Sequence, residues 1–284
     1  MRKKKRFNLQ RWLGKEGAVV YLLLGGLLVM LLFFFIQNVF NSIYYNYDFD
    51  PEEPLEELTE HTYDFSLLKE ENGHYVYPDA AYGIDVSSHQ GEIDWQKVRD
   101  SGVEFVFLRI GYRGYEQGLL NADTAFEEYY NGAREVGLPV GVYFFSQAID
   151  EREAMEEAYY VLEHIRGKQI DLPIVYDLED IDYAESRIDA IDAEQRTNNA
   201  LAFCQKIEEN GRTPMIYTNL SWSESYYDLY RIMNYPLWFA QYNNLPGLDY
   251  EFVVWQYSDH AEIDGIEELV DTNLYFNFHK QQED

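Results

Sequence analysis

Two acidic clusters in the sequence stand where apolar runs end, and their residue types suit the cleavage of a glycosidic bond. Asp85 follows the run Tyr82–Ile84, and Asp177 and Glu179 follow the apolar run 172–175. Because strand side chains alternate, Asp177 and Glu179 would share one face, with Cα atoms about 6.5 to 7 Å apart. In such a pair, the negative charge of one carboxylate raises the pKa of the other, which can then stay protonated and act as the acid. The charged carboxylate can also stabilise an oxocarbenium-like centre on the sugar. Taken alone, the same spacing would more simply cap a helix, so the wider sequence has to decide.

Eight short motifs surround these clusters in the sequence. In chain order they are Gly83–Trp95, Arg109–Gly111, Gly141–Phe145, Tyr176–Glu179, Ile216–Asn219, Leu237–Tyr242, Trp255–Ser258 and Val270–Asn273. Their order and their coverage of residues 82–276 resemble glycoside hydrolase family 25, the N-acetylmuramidases (lysozymes) of bacteria and their phages. The resemblance implies hydrolysis of the β-1,4 bond between N-acetylmuramic acid and N-acetylglucosamine in peptidoglycan glycan strands.

The resemblance also implies roles for four carboxylates. Glu179 matches the proton donor of the family and is the predicted general acid. Asp177 would hold the 2-acetamido group of the substrate or the attacking water, and its charge would help to keep Glu179 protonated. Asp85 and Asp271 match further active-site carboxylates. The spacing of Asp177 and Glu179 leaves retaining, inverting and substrate-assisted chemistry open.

Polar and aromatic side chains near other strand ends are candidates for holding the sugar. A flat aromatic ring can cover the apolar face of a pyranose, and Tyr112 is one candidate for such stacking. The predicted substrate-binding residues are Tyr143, Tyr217, Trp238, Gln241, Tyr242, Trp255 and Gln256.

Composition argues against several other kinds of site. The formal net charge of −29 disfavours nucleic acid as a partner. The six histidines show no metal-ligand spacing, and no glycine-rich loop suits a phosphate. The single cysteine, Cys204, lies in a helical apolar pattern, so we expect a buried structural thiol. The sequence therefore predicts neither a metal site nor a cofactor site.

The pattern from Tyr82 onward alternates strands with helices. The predicted strands lie at Ile84, Val103–Ile110, Pro139–Phe145, Leu172–Tyr176, Pro214–Thr218, Leu237–Gln241, Val253–Tyr257 and near Leu269–Val270. The predicted helices start at the N-caps Asp94, Asn121, Asp150 and Asp192 and end before Gly102, Gly137, Gly167 and Gly211. Residues 220–276 are too few for full helices between the last three strands. We expect an α/β fold, an irregular TIM-like (β/α) barrel with reduced late helices, whose strand ends gather the site on one rim.

The N-terminal region predicts a membrane anchor ahead of the barrel. Residues 17–37 form an uncharged apolar stretch, long enough to cross the hydrocarbon core and longer than the apolar core of a usual cleaved signal peptide. Residues 1–16 hold seven Lys or Arg, whereas the next basic residue after the stretch is Lys69. This asymmetry predicts a single-pass protein of a bacterial cell membrane, with a cytoplasmic tail at 1–16 and the remainder outside. The composition of residues 38–79 predicts an acidic solvated linker, in which Phe65–Leu68 and Tyr75–Tyr77 could pack on the edge of the domain, and residues 80–284 form the predicted catalytic barrel.

Two other functions compete with this interpretation. The first is a catalytically silent peptidoglycan-binding or scaffolding protein, which would have no need of four convergent carboxylates. The second is a hydrolase of another amino-sugar polymer such as chitin. That alternative is disfavoured because the residues before Asp177 are apolar and lack an Asp-x-x-Asp-x-Asp-x-Glu series.

Overall fold

The computed structural model describes residues 20, 23–36, 45–181 and 186–281, and its contacts divide the chain into two compact units, Met1–Asp48 and Phe49–Asp284. In the first unit, residues 20 and 23–36 are helical and exposed. Much of the predicted anchor at 17–37, and all of the predicted tail at 1–16, lies outside the described residues. Within the ranges that are described, no helix combines the length and the apolar character needed to cross a membrane.

The second unit contains a closed barrel of eight strands. In chain order the strands of this unit are β1 (Lys69–Glu71), β2 (His74–Val76), β3 (Ala81–Val86), β4 (Phe105–Arg113), β5 (Leu120–Ala122), β6 (Val140–Ser146), β7 (Ile174–Leu178), β8 (Pro214–Asn219), β9 (Leu237–Ala240), β10 (Val254–Ala261) and β11 (Val270–Tyr275). The barrel runs β3, β4, β6, β7, β8, β9, β10, β11 and back to β3, while β5 adds to the edge of β4 and β1 pairs only with β2. The predicted α/β barrel is therefore confirmed.

The last strand of the barrel reverses direction. The pairings from β3 through β10 are parallel, whereas β11 runs antiparallel to both β10 and β3. Only residues 262–269 connect β10 to β11. A parallel connection needs a crossover of a dozen or more residues, so a link this short permits an antiparallel return only. The predicted short strand near Leu269–Val270 is in fact the start of this longer strand, and its first residues, not its last, lie at the rim where the parallel strands end.

The helices follow the predicted pattern with one exception. They are α1 (Trp95–Asp100), α2 (Phe126–Glu135), α3 (Glu151–His164), α4 (Ala193–Glu209), α5 (Leu220–Ser225), α6 (Leu229–Ile232) and α7 (Phe278–Gln281). Asp94, Asp150 and Asp192 cap α1, α3 and α4 as predicted. The predicted cap at Asn121 is wrong, because Asn121 lies in the edge strand β5 and α2 begins after Ala125. Between β9 and β11 the described chain contains no helix, which confirms that the late helices are reduced.

Aromatic side chains fill the barrel interior below the rim. Phe105 and Phe107 of β4 share one face, and the Phe107 ring stacks on Trp238 of β9 with centroids 4.7 Å apart. Glycine makes room for these rings, since a Cβ at Gly83 would lie 2.4 Å from Phe105 and one at Gly141 would lie 2.2 Å from Phe107. The filled interior leaves the rim as the place where polar side chains can meet.

Much of the predicted linker packs on the barrel. Residues from Phe49 onward belong to the compact unit that holds the barrel. The backbone N–H of Leu55 donates to the carbonyl of Tyr230 at 2.9 Å, and Leu58 is buried. The Tyr63 ring stacks on Phe276 with centroids 4.0 Å apart. The acidic linker predicted over 38–79 therefore contacts the barrel within residues 49–79 through single buried or half-buried side chains, while neighbouring residues such as Glu53 and Glu56 are exposed.

Candidate active site

Four carboxylates meet at the mouth of the barrel, on the rim where the parallel strands end. Asp85 is the fifth residue of β3, Asp177 is the fourth of β7, and Glu179 directly follows β7. Asp271 is the second residue of β11 and pairs directly with Asp85. The electrostatic interactions of Asp177 include Glu179, Asp85 and Asp271, so the four groups form one cluster.

A buried amide connects two of these carboxylates to two tyrosines. Gln256 of β10 donates from Nε2 to Asp85 Oδ2 at 3.0 Å and to Asp271 Oδ2 at 3.4 Å. Its Oε1 accepts from the hydroxyls of Tyr217 at 2.8 Å and Tyr242 at 2.6 Å. Because every polar atom of the amide has a partner within the protein, Gln256 serves here to place other side chains.

A second amide, which sequence reasoning did not assign, holds the same aspartate. Asn273 is fully buried, and its Nδ2 donates to Asp85 Oδ2 at 2.8 Å while its Oδ1 accepts from Trp238 Nε1 at 2.8 Å. Asn273 lies two residues after Asp271 on β11, so strand alternation places both side chains on one face. The alternation argument that paired Asp177 with Glu179 would also have found Asn273.

The second pair of carboxylates, Asp177 and Glu179, lies two residues apart at the end of β7. Asp177 is buried, and its Oδ1 has no hydrogen-bond partner among the described residues. Glu179 is half-buried, and its carbonyl accepts from Nε2 of the fully buried Gln147 at 3.0 Å. The Oε1 of Gln147 accepts in turn from the Ser186 hydroxyl. Gln147 therefore fixes the backbone from which the Glu179 side chain projects.

Burial and mutual repulsion raise the pKa values of this cluster. Burial raises the pKa of Asp85 to about 6, against the lowering effect of hydrogen bonds from Asn273 and Gln256. Burial and the charge of Asp85 raise the pKa of Asp271 to about 9. Burial and the charge of Glu179 hold the pKa of Asp177 well above its usual value. Proton donors and charged carboxylates can therefore coexist near neutral pH, which is what acid-assisted glycosidic cleavage requires.

A groove of about 580 Å³ is not lined by any of the four carboxylates, but its walls include Asp180, which follows Glu179 in the chain, and Arg109, whose charge acts on Asp177. Arg109, Tyr112, Tyr115, Phe145 and Asp180 contribute to its walls. Arg109 is held by a salt bridge from Nε to a carboxylate oxygen of Asp123 at 2.8 Å, and its charge counteracts the raised pKa of Asp177. The aromatic walls and the guanidinium group offer stacking and hydrogen-bonding surfaces to a polar ligand.

The structure separates the predicted sugar-binding residues into two groups. Tyr143, Tyr217, Tyr242 and Gln256 lie at the carboxylate cluster, since Tyr143 interacts electrostatically with Asp85 and the other three share the amide contacts described above. Trp238 and Trp255 are buried, and Gln241 is partly exposed but makes a side-chain contact with a loop.

Both tryptophans are buried, with 2% and 1% of their surface exposed at Trp238 and Trp255. The Trp255 ring stacks on Tyr75, and its Nε1 donates to the carbonyl of Gln241 at 3.0 Å. The Gln241 side chain accepts from the Gly247 amide at 2.7 Å. In this conformation neither indole can stack on a sugar, so we assign these three residues to packing and loop support.

Two remaining predictions concern metal and the lone thiol. Among the residues that the structure describes, no group of three or more His, Cys, Asp or Glu side chains could hold a metal ion. Cys204 is buried in α4, as predicted.

Comparison with known proteins agrees with this architecture. Residues 84–266 match the family model described as glycosyl hydrolases family 25. An autolytic lysozyme of Clostridium acetobutylicum is 29% identical over 194 residues, which are 68% of this chain and 55% of that protein. The present chain thus spans little more than half the length of this relative.

Solved structures with the same fold include two bacterial enzymes. The modular autolysin LytC of Streptococcus pneumoniae, in complex with a synthetic peptidoglycan ligand, superposes with a TM-score of 0.63 at 23% identity, covering 74% of this chain and 52% of LytC. A family 25 glycosyl hydrolase of Bacillus anthracis superposes with a TM-score of 0.60 at 22% identity, covering 72% of this chain and 92% of that one.

Proposed function

The chain belongs to glycosyl hydrolase family 25, and on that premise we propose that it is a muramidase, which cleaves the β-1,4 bond between N-acetylmuramic acid and N-acetylglucosamine in peptidoglycan. The observation that carries the proposal is the cluster of Asp85, Asp177, Glu179 and Asp271 at one mouth of the barrel. Burying several carboxylates close together destabilises a fold, and a protein that only bound glycan would have no use for such a cluster. The similarity to an autolytic lysozyme supports the same substrate class.

In the proposed reaction, Glu179 donates a proton to the leaving glycosidic oxygen. Its place directly after β7 puts it at the edge of the mouth, and it is more exposed than the buried Asp177. Asp177 lies deeper and would hold the 2-acetamido group or the attacking water. The charge of Asp85 would stabilise the positive charge that develops on the sugar ring in the transition state.

The decisive experiment identifies the sugar at the new reducing end. The full-length protein, or residues 49–284, is incubated with purified peptidoglycan, and the released ends are reduced and analysed. N-acetylmuramic acid at the reducing end supports the proposal. N-acetylglucosamine at that end would show a different bond specificity, and binding without release would show a silent wall-binding protein.

We further propose that the protein is anchored in a bacterial cell membrane through residues 17–37, with the barrel outside the cell. The proposal rests on the apolar stretch and on the seven basic residues that precede it. Protease added to intact protoplasts should then remove the barrel and spare the N-terminal tail. A barrel that is protected until lysis would reverse the proposed orientation.

A further inference from the structure

We propose that Asn273 and Gln256 are positioning residues that keep Asp85 ionised, while Asp271 carries a proton that the two carboxyls share. In this proposal the two amides determine which aspartate carries the negative charge, and they do not bind sugar. The assignment of the charge rests on contacts within the protein, whereas its effect on catalysis rests on the proposed muramidase function.

The first step is that the two carboxyls need a proton between them. Asp85 and Asp271 are direct partners in the antiparallel pairing of β3 with β11. Like charges directly opposite one another in such a pair are destabilising. The two carboxyls also share one donor, since Asp85 Oδ2 and Asp271 Oδ2 both accept from Gln256 Nε2, at 3.0 and 3.4 Å. Two negative charges held this close repel each other, and a proton on one of them removes that repulsion.

The second step is that the surroundings of the two carboxyls are unequal. Oδ2 of Asp85 accepts two amide N–H groups, from Asn273 at 2.8 Å and from Gln256 at 3.0 Å. Among the residues that the structure describes, Oδ2 of Asp271 accepts only the longer contact from Gln256, at 3.4 Å. Hydrogen bonds donated to a carboxyl group favour its charged form. The charge therefore belongs on Asp85 and the proton on Asp271.

The third step is that neither amide group can flip by 180° without losing hydrogen bonds. The hydroxyls of Tyr217 and Tyr242 donate to Gln256 Oε1, and the indole N–H of Trp238 donates to Asn273 Oδ1. These donors fix which end of each amide faces the carboxyls. A flipped amide would set its oxygen against a carboxylate and lose its own donors.

Other charged and titratable groups surround the pair. Those that interact with Asp85, Asp271 or the adjoining Asp177 include Arg109 on β4, Tyr143 on β6, Glu179 after β7, Tyr217 on β8, Tyr227 after α5, Tyr242 after β9 and Asp259 on β10. The charges of Asp259 and Glu179 raise the pKa of Asp271, so they favour its protonated form. The pKa of about 6 for Asp85 and of about 9 for Asp271 agree with the assignment made from the contacts.

The test is a carbon-13 NMR titration of the aspartate carboxyl groups in the full-length protein in detergent micelles. Signals are assigned with the variants Asp85→Asn and Asp271→Asn. We expect Asp85 to titrate at a lower pH than Asp271 in the unaltered protein. The reverse order would overturn the proposal, whether or not the protein cleaves peptidoglycan.

The same titration in Asn273→Leu and Gln256→Met tests the two amides. Each variant removes N–H donors at similar side-chain volume, so the pKa of Asp85 should rise by about one unit, as a lost hydrogen bond to a charged group implies. Thr272→Val is the matched control, because Thr272 is buried beside Asn273 on β11 but makes no hydrogen bond to either carboxyl among those described. An Asp85 pKa that stays unchanged in both amide variants would also overturn the proposal.

If the muramidase function holds as well, the acid limb of the pH profile for kcat should move upward in Asn273→Leu, with KM little changed. A purely structural role for Asn273 would lower stability without moving that limb. Absence of any hydrolysis by the unaltered protein would defeat the proposed function, and the NMR titration would still decide the charge assignment.

Discussion

Asp271 lies directly opposite Asp85 in the antiparallel pairing of β11 with β3. A parallel β11 would have carried its first residues to the opposite end of the barrel, away from Asp177 and Glu179. The reversed last strand is therefore what completes the carboxylate cluster. The reversal follows from the small number of residues between β10 and β11, and it does not depend on the identity of any residue in the carboxylate cluster.

Glu179→Gln should lower muramidase activity by a factor on the order of 10² or more, because it removes the proposed proton donor and keeps the side-chain size. The measurement is reducing-end release from purified peptidoglycan. Glu267→Gln is the control, since Glu267 is an exposed carboxyl on the loop before β11. Near-normal turnover by Glu179→Gln would remove Glu179 from the role of general acid.

Activity should fall as the pH is lowered through about 6, where the buried Asp85 takes up a proton. The sign follows from the role of this group, since only its charged form can stabilise a developing positive charge. A profile of kcat against pH, measured on the unaltered protein, checks the midpoint of this limb. A rate that stays constant well below the pKa of Asp85 would contradict a role for its charge.

Asp177→Asn should abolish most activity and raise thermal stability at neutral pH. Because burial and neighbouring charges raise the pKa of Asp177 in the folded state, folding favours its protonated form, and its ionised form costs stability at any pH above its unfolded pKa. Neutralising it should contribute roughly 1 kcal/mol, or about 2–4 °C in Tm for a domain of this size.

Asp180→Asn is the control for this measurement, because Asp180 is adjacent but exposed, and its Tm should change little. Calorimetry at neutral pH and again near pH 4 separates the effects. The gain at Asp177 should shrink at the lower pH, where the aspartate is protonated without the substitution. A Tm that drops at neutral pH would show that Asp177 is held by favourable contacts in its charged form.

Tyr63→Ala should destabilise the barrel by about 2–3 kcal/mol, because a half-buried aromatic ring loses its packing and a hydrogen bond. Tyr63 stacks on Phe276 and donates to the carbonyl of Phe252 at 2.5 Å. Leu67→Ala is the matched control from the same segment, since Leu67 is 47% exposed.

Urea denaturation of both variants measures this difference. Equal, small changes in the free energy of unfolding would show that the contacts of residues 49–79 add little stability, as expected for a solvated linker. A large effect at Tyr63 alone would mean that fragments of the catalytic unit should begin near Phe49 and not near residue 80.

The sequence by itself determined most of the barrel, because local signals were strong and mutually consistent. Aspartates 94, 150 and 192 sit at helix starts where their side chains accept from backbone N–H groups. Glycines 102, 137, 167 and 211 end helices with positive φ values between 71° and 99°. The same reasoning was wrong at Asn121, because asparagine also occurs in short edge strands. Pairing with β4, which the local sequence does not show, makes Asn121 part of a strand.

The candidate site was predictable as a set of residues but not as a network. Alternation along one strand placed Asp177 beside Glu179, since that relation lies within a few residues. The roles of Gln256, Asn273 and Trp238 depend on contacts between β3, β9, β10 and β11, which the sequence does not encode locally. A tryptophan in an apolar strand serves a sugar or a core equally well, and only burial against Phe107 settled its place in the core.

The tertiary structure decided the direction of β11 and the individual contacts that residues 49–79 make with the barrel. An acidic, proline-containing stretch has the composition of a solvated chain, because composition averages over side chains and hides the few that bury. Leu58 and Tyr63 are among the residues that attach the segment to the barrel, and the partner of Tyr63, Phe276, lies far along the chain. Long-range contacts of this kind stabilise by burial and hydrogen bonding, and neither can be read from a segment whose partners have not yet been placed.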